Sequence, residues 1–280
     1  MKKKFNISGS IGLIIALGLV IFVGICLSGN LKDGYEFDIN NMTNFFDLPS
    51  IAIVVGGTIG GLIFSFPPSV LSKVGKMLGI VFMPCQYKPS YYIEQMVEYC
   101  KVARMKGILQ LEESANQCTD PFMKSALLLI VDANDSDKIE AMLNESIDFM
   151  CERHEANIAF WIKGSASAPA FGMIGTLVGL INMLKQMNIG DSSGASSLGE
   201  SMSVALVTTF YGCILAHCIF NPIANQLKYN HNQEVLCMEI VKSGVLAILS
   251  GANPRYVQEK LEMMLSNKEV AKNGKNKASE

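Results

Sequence analysis

Charge is scarce in this sequence, and the middles of its long apolar runs contain none. Only 17% of the 280 residues are Asp, Glu, Lys or Arg, while 50% are apolar and the mean hydropathy is +0.30. That composition excludes an ordinary soluble domain. The net charge of -2, without a concentrated basic face, excludes nucleic acid as a partner. An integral membrane protein with a lipid bilayer around it is the class that remains.

The sequence also lacks the patterns that carry catalysis or bind metals. The eight cysteines form no C-x-x-C pair, and the three histidines, His154, His217 and His231, are scattered along the chain. No GxSxG, HExxH, P-loop or GxGxxG pattern occurs. We therefore expect no enzymatic activity, no metal site and no cofactor, with the cysteines acting as small apolar fillers.

Four apolar runs are long enough to cross a membrane, which takes about 20 residues. They predict an all-α integral membrane protein with four transmembrane helices, a helical domain between the second and third, and a helical C-terminal tail. The predicted segments are an N-terminus and first span (1–28), a periplasmic loop (29–47), a second span (48–66), a cytoplasmic helical domain (67–163), a third span (164–187), a periplasmic loop (188–197), a fourth span (198–227) and a cytoplasmic tail (228–280, disordered from about 267).

The first run has an alternative interpretation as a signal peptide. Lys2, Lys3 and Lys4 precede its apolar core, and the small residues Ser28 and Gly29 follow it. The core is longer than the roughly 7 to 15 residues typical of a signal sequence, and a second apolar run follows soon after. Both features favour a membrane span.

The positions of Lys and Arg predict the orientation of the spans. Basic residues flank the predicted cytoplasmic ends, whereas the segment 29–47 contains only Lys32 and the segment 188–197 contains none. Lys185 lies at the outer end of the third span, where its long side chain can reach the interface. Both termini are therefore expected in the cytoplasm of a cell whose inner membrane holds the protein.

The helical domain is predicted to lead directly into the third span. Periodic apolar positions indicate helices over 91–106 and 122–133. A further helix is expected to start at Asp137, capped by Asp135 or Ser136, and no helix breaker follows before Gly164.

Small residues form a stripe along each of the last two spans. Such stripes let membrane helices approach closely, so we predict that these helices pack against other helices. In the third span the stripe comprises Ser165, Pro169, Gly172, Thr176, Gly179 and Met183, and in the fourth Ala205, Thr209, Gly212 and Ala216.

Two interpretations of the threonines remain open at this point. Each hydroxyl can bond back to a carbonyl of its own helix. Alternatively, Thr176 and Thr209 line a polar path for an ion. Because no span carries an acidic or basic residue in its middle, a proton-carrying carboxylate would have to come from another chain.

Two prolines lie near the expected cytoplasmic ends of the same spans. Pro169 and Pro222 each remove a backbone N–H and free the carbonyl four residues earlier, which loosens the helix. They are either ordinary kinks or a pair of hinges.

Several of these segments together resemble a known family. The segments "FFDLPSIAIVVGGTIGGLIFSFP", "APAFGMIGTLVGL", "ALVTTFYGCILA" and "NPIANQL" follow one another through the spans, and "ARMKGILQLEE" lies in the helical domain. The chain resembles the flagellar stator proteins of the MotA/TolQ/ExbB proton channel family.

The resemblance implies a function and a set of partners. Proteins of this kind form a homo-oligomeric ring, five-fold in the family, around the single membrane helices of a dimeric, peptidoglycan-binding MotB-type partner whose aspartate carries the ion. Ion flow turns the ring and drives the flagellar rotor switch protein. The implied ion is H⁺, with Na⁺ possible.

Specific residues acquire roles from the resemblance. The rotor-contact charges fall on Arg104 and Glu112, and the ion-path threonine falls on Thr209, with Thr176 facing it. Thr208, next to Thr209, leaves open which hydroxyl faces the path. The hinge prolines fall on Pro169 and Pro222.

Two other functions compete with the stator interpretation. An ExbB- or TolQ-like energiser of outer-membrane processes has one span before its cytoplasmic domain, whereas two are predicted here. A passive membrane scaffold would need no ion path. Measuring proton uptake would separate a scaffold from a stator.

Overall fold

The structure is a computed structural model that describes most of the chain. Its described residues are 7–20, 27–30, 34–37, 39–84, 87–132, 135–187 and 194–265. Most of the loop predicted over 188–197 and the disorder predicted from about 267 lie outside these residues. The chain divides into two compact units. The span unit comprises residues 5–84 and 155–228, and the polar unit comprises residues 85–154 and 229–280 with the first four.

The span unit contains the apolar helices, some of which are short. They are α1 (Ile7–Gly18), α2 (Leu48–Ile51) continuing through a π-helical turn (Ala52–Gly56) into α3 (Gly57–Ser65), α4 (Pro68–Leu71), α5 (Val74–Phe82), the second half of α9 (Ser136–Met187), α10 (Gly194–Ile214), a π-helical turn (Leu215–Phe220) and the start of α11 (Asn221–Leu249). Within the described residues, three helical segments are long and apolar enough to cross a membrane: Leu48–Ser65, Ser136–Lys185 and Leu198–Leu249.

Large apolar side chains cover much of the outside of the span unit. The side chain of Phe64 is 96% exposed, and Ile63, Leu177 and Leu206 are also exposed. A soluble protein rarely leaves so much apolar surface in water, so this surface suits a lipid environment. Inside the unit, Trp161 donates its indole N–H to the sulfur of Met77 at 3.1 Å.

The polar unit is a helical bundle with its own core. It contains α6 (Pro89–Lys106), a 3₁₀ turn (Ile108–Gln110), α7 (Leu111–Gln117), α8 (Pro121–Asp132), the first part of α9, most of α11 and α12 (Pro254–Glu262). Met96, Leu127 and Ile240 are among its fully buried side chains. Helices α6 and α11 approach closely at Gly244, where a Cβ atom would lie 2.7 Å from Sδ of Met96.

The helix predicted to start at Asp137 and to continue past Gly164 without a break is present as α9. It is continuous from Ser136 to Met187. Asp135 starts the helix, since its carboxylate accepts a hydrogen bond from the Asp137 N–H at 3.2 Å. Helices α9 and α11 each contribute residues to both units.

The segment predicted as a loop over 29–47 contains regular structure. Strands β1 (Leu27–Asn30) and β2 (Gly34–Phe37) pair in antiparallel fashion, and a 3₁₀ helix (Ile39–Phe45) follows. Outside this short hairpin the described secondary structure is helical, as the all-α prediction expects. The sequence held a signal for the hairpin, because the turn-forming residues Asn30, Asp33 and Gly34 separate two short segments of strand length.

Candidate functional site

Helices α9 and α10 pack against each other through small residues. A Cβ atom placed on Gly175 would lie 2.5 Å from the Cβ of Thr208, so no larger residue fits there without movement. The same test on Gly212 gives 2.8 Å to the carbonyl oxygen of Ala168, and on Gly179 it gives 2.8 Å to that of Ser201. The two backbones therefore approach as closely as small-residue stripes permit.

The structure distinguishes the two neighbouring threonines. Thr208 is fully buried, and its hydroxyl donates to the carbonyl of Ala205 at 3.0 Å. Thr209 is exposed, and its hydroxyl lies 3.5 Å from the same carbonyl, at the limit of a hydrogen bond. Thr208 is thus part of the helix contact, whereas the Thr209 oxygen remains available to another group.

Thr176 lies at the edge of the contact between the helices. It is half-buried, and its hydroxyl donates to the carbonyl of Met173 at 2.7 Å. From residue 164 onward, the buried positions of α9 are Gly164, Ala168, Gly172, Gly175 and Gly179. The sequence-based stripe included Gly172 and Gly179 but missed Gly175, which makes the contact with Thr208.

On α10 and the π-helical turn that follows it, the predicted small residues are all buried: Ala205, Gly212 and Ala216. A Cβ on Gly172 would lie 3.3 Å from Cα of Thr209, so the α9 backbone passes beside the threonine while its hydroxyl stays outside. The contact therefore fixes which way Thr209 faces.

The two prolines have different local structures. Helix α9 passes through Pro169 without interruption. A π-helical turn, Leu215–Phe220, precedes Pro222. Of the two prolines, therefore, only Pro222 adjoins a departure from regular α-helical geometry.

Arg104 and Glu112 lie on either side of a break between two helices. Gly107 ends α6 with a φ of 90°, a conformation that favours glycine. Arg104 is in the last turn of α6, Glu112 is in the first turn of α7, and both are exposed. Each charge also complements the dipole of its own helix, which is a structural reason for its sign.

A cavity of about 370 Å³ opens in the polar unit. Asp120 lies at its edge and accepts hydrogen bonds from the N–H groups of Phe122 and Met123 at 2.9 and 3.1 Å, which caps α8. It also accepts the Tyr92 hydroxyl at 2.5 Å. Burial and the carboxylate of Asp120 raise the pKa of Tyr92 above its ordinary value, and burial raises the pKa of the Cys237 thiol to about 12.

Two histidines meet in the polar unit. Nδ1 of His154 on α9 and Nδ1 of His231 on α11 are 3.2 Å apart. The three histidines are scattered along the sequence, and the fold brings two of them into contact. Helices α9 and α10 run antiparallel and only six residues separate them in the sequence, so residues at similar distances from 188–193 become neighbours. Equal spacing from that segment is the signal in the sequence that could have identified the pair.

Comparison with known proteins identifies the family. Residues 114–240 match the MotA/TolQ/ExbB proton channel family. Motility protein A of Borreliella burgdorferi is 37% identical over 225 residues, which cover 80% of this chain and 85% of that protein. The chain belongs to this family. A Bacillus subtilis protein named YtxD, whose own name states that it is uncharacterised, is 35% identical over 98% of this chain and 95% of its own length.

A solved structure has a similar fold over most of the chain. The flagellar MotAB stator complex from Bacillus subtilis contains a chain that superposes with a TM-score of 0.78 at 29% identity, covering 94% of this chain and 97% of that one. These relatives support a flagellar stator function and do not favour an energiser of outer-membrane processes. The family is one of proton channel components, which agrees with a membrane protein that takes part in ion translocation.

Proposed function

We propose that this chain is the ring-forming subunit of a flagellar stator, five copies of which surround a dimeric, peptidoglycan-binding MotB-type partner. The observation that carries the proposal is the contrast within the span unit. The part of α9 from residue 164 onward and α10 pack through small residues, hold no acidic or basic side chain in the middle of the predicted spans, and leave the Thr209 hydroxyl outside the contact. Helices of this kind can line an ion path, but they have no side chain in it that could bind and release a proton.

The ion path follows from that contrast. The partner supplies a carboxylate, and Thr209 offers an oxygen that can accept a hydrogen bond from the protonated acid or bind a hard cation. Thr176 lies nearby on α9 as a second candidate, while the burial of Thr208 disfavours it as a lining residue. The ion is H⁺ in this proposal, with Na⁺ as the alternative.

Four spans are proposed to lie in the inner membrane, with both termini in the cytoplasm. The three long apolar segments and the exposed apolar surface of the span unit support membrane insertion. Helix α1, described over Ile7–Gly18, belongs to the proposed first span. The polar unit is then cytoplasmic, with the segmental boundaries given by the sequence. No cofactor and no enzymatic step enter this mechanism.

The exposed charges of the polar unit are proposed to transmit torque from the ring to the rotor. Arg104 and Glu112 flank the break at Gly107 and present both signs to the rotor switch protein. Exposed ion pairs contribute only about 0 to 1 kcal/mol each, so they can form and release at every step. Pro169 and Pro222 are the proposed hinges, and the π-helical turn before Pro222 supports the second.

Deleting the gene tests this proposal directly. We expect cells that still assemble flagella but do not rotate them, and that recover rotation when the gene is restored. An energiser would instead leave rotation intact and impair uptake or integrity at the outer membrane. A passive scaffold would lose both flagella and rotation, since the flagella themselves would fail to assemble.

Swimming speed across sodium concentrations identifies the ion. With H⁺ as the ion, speed is independent of sodium and collapses when a protonophore is added. With Na⁺ as the ion, speed rises with sodium and survives the protonophore.

A further inference from the structure

The contact between His154 and His231 is arranged as a hydrogen bond between two imidazoles. Their Nδ1 atoms are 3.2 Å apart, and the rings lie nearly perpendicular with centroids 5.3 Å apart. Two neutral rings can satisfy this geometry only if one donates its Nδ1–H and the other accepts with a bare Nδ1. The contact therefore depends on the protonation state of the two side chains together.

One carboxylate lies beside the pair. Oε2 of Glu234 is 3.7 Å from Nδ1 of His154, with side chains 26% and 35% exposed respectively. Glu234 lies on α11 one turn after His231, and Arg153 precedes His154 on α9. Burial lowers the pKa of His154 most, His231 and Arg153 lower it further, and Glu234 opposes them.

Further titratable groups line the cavity to which Arg153 and Glu234 also contribute. They are Asp120 at the start of α8, Tyr92 on α6, Tyr87 just before α6, and Cys237 on α11. Asp120 already accepts three hydrogen bonds, and the raised pKa values of Tyr92 and Cys237 keep both groups neutral below pH 8. Tyr92 and Cys237 therefore do not change charge on mild acidification.

A metal ion is not the ligand that these residues indicate. Among the residues that the structure describes, no group of three or more His, Cys, Asp or Glu side chains is placed to hold one.

A second polar contact links the same two helices. Lys242 on α11 donates to Oδ1 of Asn144 on α9 at 2.9 Å and pairs with Glu239 at 2.5 Å. That second link between the helices contains no group with an ordinary pKa between 5 and 8.

We propose that His154 and His231 form a proton-sensitive latch between α9 and α11 that is closed when the pair holds at most one added proton and opens when it holds two. The first proton adds to the free Nε2 of the donating ring and leaves the Nδ1–H···Nδ1 bond in place. The second proton takes the accepting Nδ1 lone pair, so two N–H groups and two positive charges then face each other. Glu234 can balance only one of these charges.

The sign of the pH effect follows from the lowered pKa of His154. His154 binds a proton less readily in the folded chain than in the unfolded chain, where an imidazole titrates at about 6.5. The latch therefore stabilises the α9–α11 contact above that pH, and the stabilisation is lost as pH falls below it. The Lys242 link holds the helices farther along, so opening is local.

Histidine-selective NMR on the full chain in lipid nanodiscs tests the latch. The chain has three histidines, so a His217→Gln background leaves only the two imidazoles of the pair. We expect two proton-uptake steps separated by at least about one pH unit, as interacting sites require. Adding His231→Gln should give a single step for His154, at a higher pH than the second step of the pair. One shared midpoint for both rings, unchanged by His231→Gln, would overturn the proposal.

Hydrogen exchange tests the opening itself. After correction for the intrinsic effect of pH, amides near 154 and 231 should exchange faster at pH 5.5 than at pH 8, while amides near the Lys242 link should not. His154→Gln with His231→Gln should remove the dependence on pH even if it changes the overall rate. Equal exchange at both pH values in the unmodified chain would show that no latch opens.

Discussion

The side chain of Thr208 fills the space that a larger residue at position 175 would need, since a Cβ on Gly175 would lie 2.5 Å from the Thr208 Cβ and 2.7 Å from its Oγ1. This contact fixes the separation of α9 and α10. It also turns Thr208 inward and leaves Thr209, the next residue, exposed. The proposed ion path therefore depends on a glycine that the path itself does not include.

Gly175→Ala should destabilise the span unit. The added methyl group overlaps a β-branched side chain that has little freedom to move, and overpacking of this kind typically costs about 1 to 3 kcal/mol. Thermal unfolding of the full chain in detergent measures the effect. Gly60→Ala is the matched control, because nothing lies within 4 Å of a Cβ there.

A swap of small residues provides the stricter test of the same contact. Gly175→Ala combined with Thr208→Gly moves the methyl group to the other helix and should recover part of the lost stability. If the double variant is as unstable as the sum of its single variants, the two positions do not contact each other.

Thr209→Ala should reduce ion flux while the ring still assembles. The change removes one exposed hydroxyl, and loss of one hydrogen bond of about 1 kcal/mol corresponds to roughly a fivefold change. Motility and flux with the partner present measure the effect, and size-exclusion chromatography verifies assembly.

Thr208→Ala is the matched neighbour, with the opposite pattern expected. It should lower thermal stability, because Thr208 is buried in the helix contact, and should change flux per assembled ring little. If Thr208→Ala rather than Thr209→Ala abolished flux in assembled rings, the assignment of the two threonines would be reversed.

Asp120→Ala should destabilise the polar unit by roughly 2 to 3 kcal/mol. It removes the cap of α8, worth about 1 kcal/mol, and leaves the largely buried Tyr92 hydroxyl without its acceptor. Hydrogen exchange in α8 and α6 reports the loss. Asp148→Ala, at an exposed position on α9, should have little effect. A smaller loss in Tyr92→Phe, which keeps the cap, would separate the two contributions.

Arg104→Glu should impair swimming with the protein still inserted and assembled. Long-range charge complementarity guides docking and is weakened by salt. A charge reversal on the rotor face should restore part of the motility, since a damaged fold could not be repaired by changing another protein. Glu112→Lys should behave in the same way with the opposite sign. Normal swimming of both single variants and of the double variant would contradict the rotor contact. The two charges would then act only by stabilising the ends of their own helices.

The sequence predicts most of the helices but only part of the contact between them. Apolar periodicity and the capping residue Asp135 predict the course of α9, because these signals are local. The stripe through Gly172 and Gly179 is visible on a helical wheel, but which side of it faces α10 depends on the neighbouring helix. Gly175 and the inward turn of Thr208 were missed for that reason.

Contacts between distant residues are the other part that the sequence alone leaves unpredicted. His154 and His231 are 77 residues apart, and their proximity follows from the antiparallel pairing of two long helices rather than from any motif. Likewise, Tyr92 and Asp120 belong to separate segments whose side chains meet only when the polar unit folds. The burial and pairing of such groups result from tertiary packing, which local sequence patterns do not predict.

Proton uptake by vesicles most directly tests the claim that this chain forms the wall of an ion path and a partner supplies the charge. Vesicles containing the purified chain alone should take up no protons when a membrane potential is imposed. Vesicles containing the chain with its MotB-type partner should take them up, and Thr209→Ala should slow that uptake. Equal uptake with and without the partner would contradict the account, because an ion would then cross spans that carry no ionisable group in their middles.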